Sequence, residues 1–133
     1  MATDTAGDVG QEYSQNMVHY VAKTVTFAND DQVVTIGTLP PRAIIIDCGI
    51  AVTTAFSGGS VVADMGVGAD GDAIASALVL TTAGCIRDVS TNPLIAHDDY
   101  STSAVTVNIS ITSGSTITAG SGVAFVTYII GDR

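Results

Sequence analysis

The sequence has few positive charges. Its 133 residues include four Lys and Arg against thirteen Asp and Glu, which gives a formal net charge of −9. A nucleic-acid-binding surface needs clustered basic side chains to neutralise phosphates and release counterions, and an anionic membrane surface attracts similar clusters. The four basic residues are scattered along the chain. We therefore expect neither nucleic acid nor a membrane as a partner.

Long hydrophobic runs are also missing, although the mean hydropathy is +0.45. The most apolar window, residues 43–52, is interrupted by Asp47, and it is shorter than the roughly 20 residues of a membrane span. Residues 1–10 lack the positive and apolar regions of a signal peptide, so no export signal is predicted. The apolar residues are spread over short segments, which we expect to bury surface against other subunits as well as internally.

Cysteine is scarce, with Cys48 in an apolar run and Cys85 after a glycine. Their spacing does not resemble a metal knuckle. One intrachain disulfide is the alternative. Without a predicted export signal, we expect both thiols to be reduced and packed as small apolar side chains.

The residues that are abundant favour β-structure. Val, Ile and Thr are branched at Cβ and fit a pleated sheet better than a helix, and fourteen glycines supply turns. Within residues 103–112, Val, Ile and polar side chains alternate, which predicts a strand with Val105, Val107, Ile109 and Ile111 facing inward. About eight such segments with no helical period predict an antiparallel sandwich, jelly roll or small barrel.

The predicted strands differ in how much of each is apolar. They cover residues 17–28, 32–38, 42–55, 61–67, 79–82, 103–112, a short stretch around Ile117, and 123–130. The first two are expected to form a hairpin around Asn29, Asp30 and Asp31. Segments 42–55 and 123–130 are apolar on both faces and are predicted to be central in their sheets. Residues 73–78 are expected to form one helical turn.

Domain organisation is simple in this interpretation. Residues 17–133 are predicted to form a single domain, because no composition shift divides them. Residues 1–16 are polar, small and non-periodic. They are expected to be a flexible N-terminal arm that orders on binding, with plain terminal disorder as the alternative.

No catalytic set is recognisable. A nucleophilic triad needs a Ser or Cys, a His and an acid. His19 lies among apolar neighbours, and His97 precedes Asp98, Asp99 and Tyr100 without a nucleophile-elbow motif. We predict no enzyme and no cofactor. The four residues 97–100 are kept as a weak candidate ligand patch.

One loop has the chemistry of a calcium site. Asp64, Asp70 and Asp72 surround a Gly-rich stretch, and carboxylates at a turn are ligands that Ca²⁺ accepts. The spacing differs from an EF-hand loop. Asp and Gly also make turns without a metal, and this second interpretation is favoured over a metal site.

Residues 36–68, IGTLPPRAIIIDCGIAVTTAFSGGSVVADMGVG, resemble small virion proteins of tailed bacteriophages. The shared pattern is a GTLP turn, a long apolar strand, a V-T-A-F-(N/S)-G turn and a strand that ends in a G-x-G-x-D loop. The matching elements are residues 37–40, 52–58 and 66–72. Proteins of this group resemble capsid decoration (cement) proteins, head spikes or fibre knobs with jelly-roll or related β-sandwich folds.

The resemblance implies a fold and a role. The fold is an antiparallel β-sandwich, jelly-roll-like, with a flexible N-terminal arm. The role is a non-enzymatic protein on the capsid exterior, made in the host cytoplasm, that decorates and stabilises the shell. Its expected partners are the major capsid protein and copies of itself, with a trimer as the first guess. Candidate docking residues in and next to the arm are Asp4, Val9, Tyr13 and Met17.

The alternative is a receptor- or carbohydrate-binding knob of a phage tail or head fibre. Sugar recognition uses exposed aromatic rings for stacking, and the sequence has no Trp and only four Tyr. Tyr100, beside His97, Asp98 and Asp99, is the candidate contact patch for such a knob.

Overall fold

The computed structural model describes residues 18–68, 70–87 and 103–130, with Asp70 described by its backbone only. Within these residues, eight strands and one short 3-10 helix (Phe27–Asn29) form. The strands are β1 (His19–Thr26), β2 (Val33–Leu39), β3 (Ala43–Thr54), β4 (Val61–Val67), β5 (Asp70–Val79), β6 (Gly84–Arg87), β7 (Val105–Ser113) and β8 (Ser121–Ile130). None of the described residues belongs to a helix with the length and hydropathy of a membrane span.

The strands form two four-stranded antiparallel sheets. The first sheet has the order β1-β8-β3-β6, and the second has the order β2-β7-β4-β5. Pairing follows a regular rule, because β1 pairs with β8, β2 with β7, β3 with β6 and β4 with β5. The two further pairings β3–β8 and β4–β7 complete the two sheets. The result is a jelly roll, which confirms the predicted fold class.

The core lies between the two sheets. Every strand except the short β6 contributes at least one fully buried apolar side chain, and Cys48 on β3 is buried among them. On β7, Val107, Ile109 and Ile111 are at most 1% exposed, and Val105 packs against the same core. The inward face predicted for this strand is therefore confirmed.

The two segments predicted to be central occupy central positions. β8 lies between β1 and β3, and β3 lies between β8 and β6. The Pro40-Pro41 pair ends β2, since proline has no N–H to donate to a ladder. A bulge in β3 falls at Ile46, where the register with β8 shifts between Ile45 and Asp47.

Several expectations about local structure are wrong. The strand expected over residues 79–82 does not form, since β5 already ends at Val79. β1 and β2 do not form a hairpin, because they lie in different sheets and Asn29, Asp30 and Asp31 connect the sheets. Phe27, expected in the first strand, belongs to the 3-10 helix and is 41% exposed. Residues 73–78 are part of β5 because pairing with β4 overrides their modest helical preference.

The stretch around Ile117 is not a strand either. Residues 116–120 are irregular, yet Ile117 is 6% exposed and belongs to the core. An irregular loop, and not a strand, places Ile117 in the core. The short strand predicted around Ile117 is therefore wrong.

Candidate assembly surface

The central strands of the two sheets differ on the side that faces away from the core. On β7 the outward residues are Thr106, Asn108, Ser110 and Thr112, all polar. On β8 they include Val123, Phe125 and Ile129. An antiparallel sheet with one solvated face normally alternates apolar and polar residues along each strand. β7 follows that pattern, whereas the outward side of β8 is apolar except at Ser121 and Thr127.

Neighbouring strands extend the apolar surface of β8 across the first sheet. Ala22 lies opposite Phe125, and Ala51 lies opposite Val123. We name this surface the apolar face. It comprises Tyr20, Ala22, Ile44, Ala51, Cys85, Val123, Phe125 and Ile129. Within it, Tyr20 is 72% exposed.

A glycine lets the apolar face lie flat at its centre. Gly49 on β3 pairs with Phe125 on one side and with Arg87 on the other. A Cβ added at Gly49 would collide with the Ile86 carbonyl oxygen, so only glycine allows β6 to approach here. The neighbouring Phe125 ring is a side chain that can cover such a glycine.

The charge of the apolar face is balanced. Asp47 and Arg87 form an ion pair, with Arg87 Nη1 donating to Asp47 Oδ2 at 2.8 Å. The other Asp47 oxygen accepts a hydrogen bond from the Cys48 backbone N–H at 2.9 Å. The hydrogen bond from Arg87 to Asp47, and then the negative charge of Asp47, raise the pKa of the Arg87 guanidinium. Asp47 and Arg87 point to the same side of the sheet as the apolar face, so the one described carboxylate on that side is neutralised by a partner.

The outer face of the second sheet is polar along β7, has the exposed residues Val33 and Val79 on its edge strands, and carries an acid with a structural role on β4. Asp64 lies on β4, and its Oδ1 accepts a hydrogen bond from the Ala77 backbone N–H at 2.7 Å. Ala77 has a φ of 57°, a left-handed conformation that is unfavourable for alanine. The carboxylate therefore stabilises a bulge in β5.

The calcium candidates do not converge in the part of the chain that the structure describes. No three His, Cys, Asp or Glu side chains among the described residues lie close enough to hold a metal ion. Asp64 is bound to Ala77, Asp72 is exposed, and the side chain of Asp70 lies outside the description. A calcium site at Asp64, Asp70 and Asp72 remains a prediction.

The remaining candidate residues fall mostly outside the described part of the chain. This applies to the arm candidates Asp4, Val9, Tyr13 and Met17 and to the patch His97, Asp98, Asp99 and Tyr100. His19 is described, and its ring stacks on that of Tyr128 with centroids 5.6 Å apart. This ring contact gives His19 a structural role in the first sheet.

The expectation for the two cysteines is half right. Neither forms a disulfide, and Cys48 is buried as expected. Cys85 is exposed, because its pairing with Ala51 directs it to the outer side of the first sheet. The apolar face itself was missed. Its signal was present in residues 123–130, whose apolar side chains on both faces were interpreted as a sign of central position alone.

The strand order places this chain in an architectural class that includes viral capsid and lectin domains, the double-sheet jelly rolls. Its fold is similar to that of a chain in the capsid of Ralstonia phage GP4, with a TM-score of 0.66 and 17% identity. That match covers 100% of this chain and 91% of the other. A chain in the capsid asymmetric unit of cyanophage Pam1 is similar with a TM-score of 0.64 and 17% identity, covering 96% of this chain and 91% of that one.

No protein-family model matches the sequence. No curated protein matches it either.

Proposed function

We propose that this protein is a non-enzymatic structural component of a phage virion that decorates and stabilises the capsid from outside. The main support is the jelly-roll fold, which this chain shares over nearly its whole length with chains of two phage capsids. The apolar face adds support, because a structural protein of an assembly needs surface to bury against other subunits.

The proposed attachment to the major capsid protein uses the N-terminal segment. Residues 1–16 precede β1, an edge strand of the first sheet, in the sequence. A segment that becomes ordered on a shell gains contacts that offset its lost conformational entropy. Asp4, Val9, Tyr13 and Met17 are the proposed contact residues.

The first test is the copy number in purified particles, measured by quantitative mass spectrometry against the major capsid protein. Decoration predicts copies comparable to those of the shell protein. A few copies per particle would instead favour the fibre or tail knob, and absence from the particle would contradict both roles.

The second test is deletion of residues 1–16. Because β1 begins at His19, the truncated protein is expected to keep the thermal midpoint of the full chain and to lose attachment to undecorated shells. A control chain with the same sixteen residues in scrambled order separates sequence-specific docking from the effect of length. Full binding by the truncated protein would refute the docking role of the arm.

A further inference from the structure

We propose that the apolar face of the first sheet binds a second copy of this chain. The inference rests on the proposed structural role and names the partner of this surface. Three observations carry it: the side chains of the face, its charge, and its size.

The first observation is the contrast between β7 and β8. Both are central strands of four-stranded sheets in the same sandwich. β7 presents hydroxyl and amide groups to the outside, whereas β8 presents Val123, Phe125 and Ile129. Burial of apolar surface is favourable at about 25 cal/mol per Å². The outward side of β8 is thus more apolar than that of β7, and the exposed apolar residues Val33 and Val79 of the second sheet lie on its edge strands. This contrast between the two central strands indicates that the outer side of the first sheet is covered in the assembled state.

The second observation is the distribution of charge. Two chains of net charge −9 repel each other, so contact between copies requires a face with few unpaired acids. The described carboxylate beside the apolar face, Asp47, is paired with Arg87. The second sheet carries Asp64 on its outer side and Asp72 near its edge. A basic partner would favour the second sheet, and an identical acidic chain favours the first.

The third observation is the extent of the face. The strands β1, β8, β3 and β6 have 8, 10, 12 and 4 residues. At usual strand spacing and rise, a patch four strands wide and about seven residues long spans roughly 20 by 23 Å. Burying that face on both copies removes roughly 1,000 Å² of surface, which is near the lower limit for specific association. The contact is thus large enough for a dimer or for one interface of a ring, and small enough to be sensitive to a single buried charge.

The experiment measures the mass of the purified full chain by light scattering over a range of concentrations. The wild-type mass is expected to exceed the 13.4 kDa of one chain. Ala22→Glu and Val123→Glu each place a carboxylate on the apolar face, and each is expected to weaken association about tenfold or more. Ala22 is exposed on an edge strand, so its replacement tests the contact with little risk to folding.

The matched control is Val33→Glu. Val33 is a 69% exposed apolar residue on β2 of the second sheet, and this variant is expected to associate like the wild type. A wild type that is monomeric throughout, or face variants that keep the wild-type mass, would overturn the inference. Dissociation by Val33→Glu with no effect of Ala22→Glu would move the contact to the other sheet and also overturn it.

Cys85 provides an internal reporter, because it is an exposed thiol on the apolar face whereas Cys48 is buried. Its reaction with a thiol reagent is expected to slow at concentrations where the chain associates, while Cys48 stays unreactive in the folded protein. An unchanged Cys85 rate would place the contact elsewhere. All these measurements use isolated protein without shells. A monomer that still binds shells overturns this inference alone, and an oligomer that is absent from particles overturns the proposed function alone.

Discussion

At the scale of the residue, Asp64 shows how an acid in a Gly-rich region serves the backbone. The register between β4 and β5 shifts so that Asp64 lies opposite two residues of β5, Ser76 and Ala77. This is a β-bulge, in which the extra residue lacks a ladder partner. The carboxylate of Asp64 accepts the Ala77 N–H, and it thereby replaces the hydrogen bond that the ladder does not supply.

Two substitutions test this account. Ala77→Gly is expected to raise the free energy of unfolding by about 0.5–1 kcal/mol, because glycine adopts a positive φ without steric cost. Asp64→Ala is expected to lower it by about 1 kcal/mol, and Asp64→Asn by less because the amide keeps an oxygen acceptor. Urea unfolding measures each change.

The control for Ala77→Gly is Ala55→Gly, at an exposed loop residue without a positive φ. This change is expected to destabilise by about 0.5–1 kcal/mol, because glycine has the more flexible unfolded chain. Equal losses at both positions would contradict the left-handed conformation assigned to Ala77.

At the scale of the element, two connections between the sheets are hydrogen-bonded to each other. One joins β3 to β4 and contains Phe56 and Ser57. The other joins β7 to β8 and ends at Gly120. The Ser57 N–H donates to the Ala119 carbonyl at 2.9 Å, and Ser57 Oγ accepts from the Thr118 N–H at 2.9 Å. Both chain crossings at this end of the sandwich are fixed by one set of contacts.

Three glycine-to-alanine changes separate two costs of substitution, which are backbone strain and overpacking. Gly120 and Gly84 have φ values of 142° and 140°. A Cβ at Gly120 would collide with the Phe56 ring, and one at Gly84 would meet nothing within 4 Å. Gly84→Ala is expected to cost about 1–3 kcal/mol of unfolding free energy through backbone strain. Gly120→Ala is expected to cost about 1–3 kcal/mol more through overpacking.

Gly114→Ala completes the set, since Gly114 has neither a positive φ nor a neighbour within 4 Å of an added Cβ. Its unfolding free energy is expected to stay within about 0.5 kcal/mol of the wild type. If Gly120→Ala cost no more than Gly84→Ala, the packing of Phe56 against this loop would not limit substitution there.

At the scale of the whole molecule, the net charge of −9 opposes any contact between copies. The apolar face reduces that opposition locally, because Asp47 is paired with Arg87. The rest of the acidic charge acts over longer distances through solvent. These long-range repulsions are screened by salt, whereas burial of apolar side chains is not.

Self-association through the apolar face is therefore expected to strengthen with salt. Between about 0.05 and 0.5 M sodium chloride, we expect the dissociation constant to fall by roughly several-fold. Sedimentation or light scattering at each salt concentration measures it, with the thermal midpoint recorded in parallel to show that folding is unchanged. Weaker association at high salt would mean that ion pairs, and not apolar burial, hold the copies together.

Patterns that are local in the chain were predicted well from the sequence. The alternation of Val105, Val107, Ile109 and Ile111 fixes which side of β7 is buried, because side-chain direction in a strand has a period of two residues. The strand predicted over residues 61–67 likewise has the bounds of β4. The apolar stretch in 123–130 indicated the central position of β8, but it left open what lies on its outer side.

Strand pairing was decided by tertiary structure alone. The jelly roll joins β1 to β8 across nearly the whole chain, and no local pattern encodes a partner that far away. The turn residues Asn29, Asp30 and Asp31 signal a change of direction, but packing of the complete core decides that the chain crosses to the other sheet there. In the same way, the sequence defined Cys85 as a small thiol in a short segment, while its register against Ala51 placed it on the apolar face.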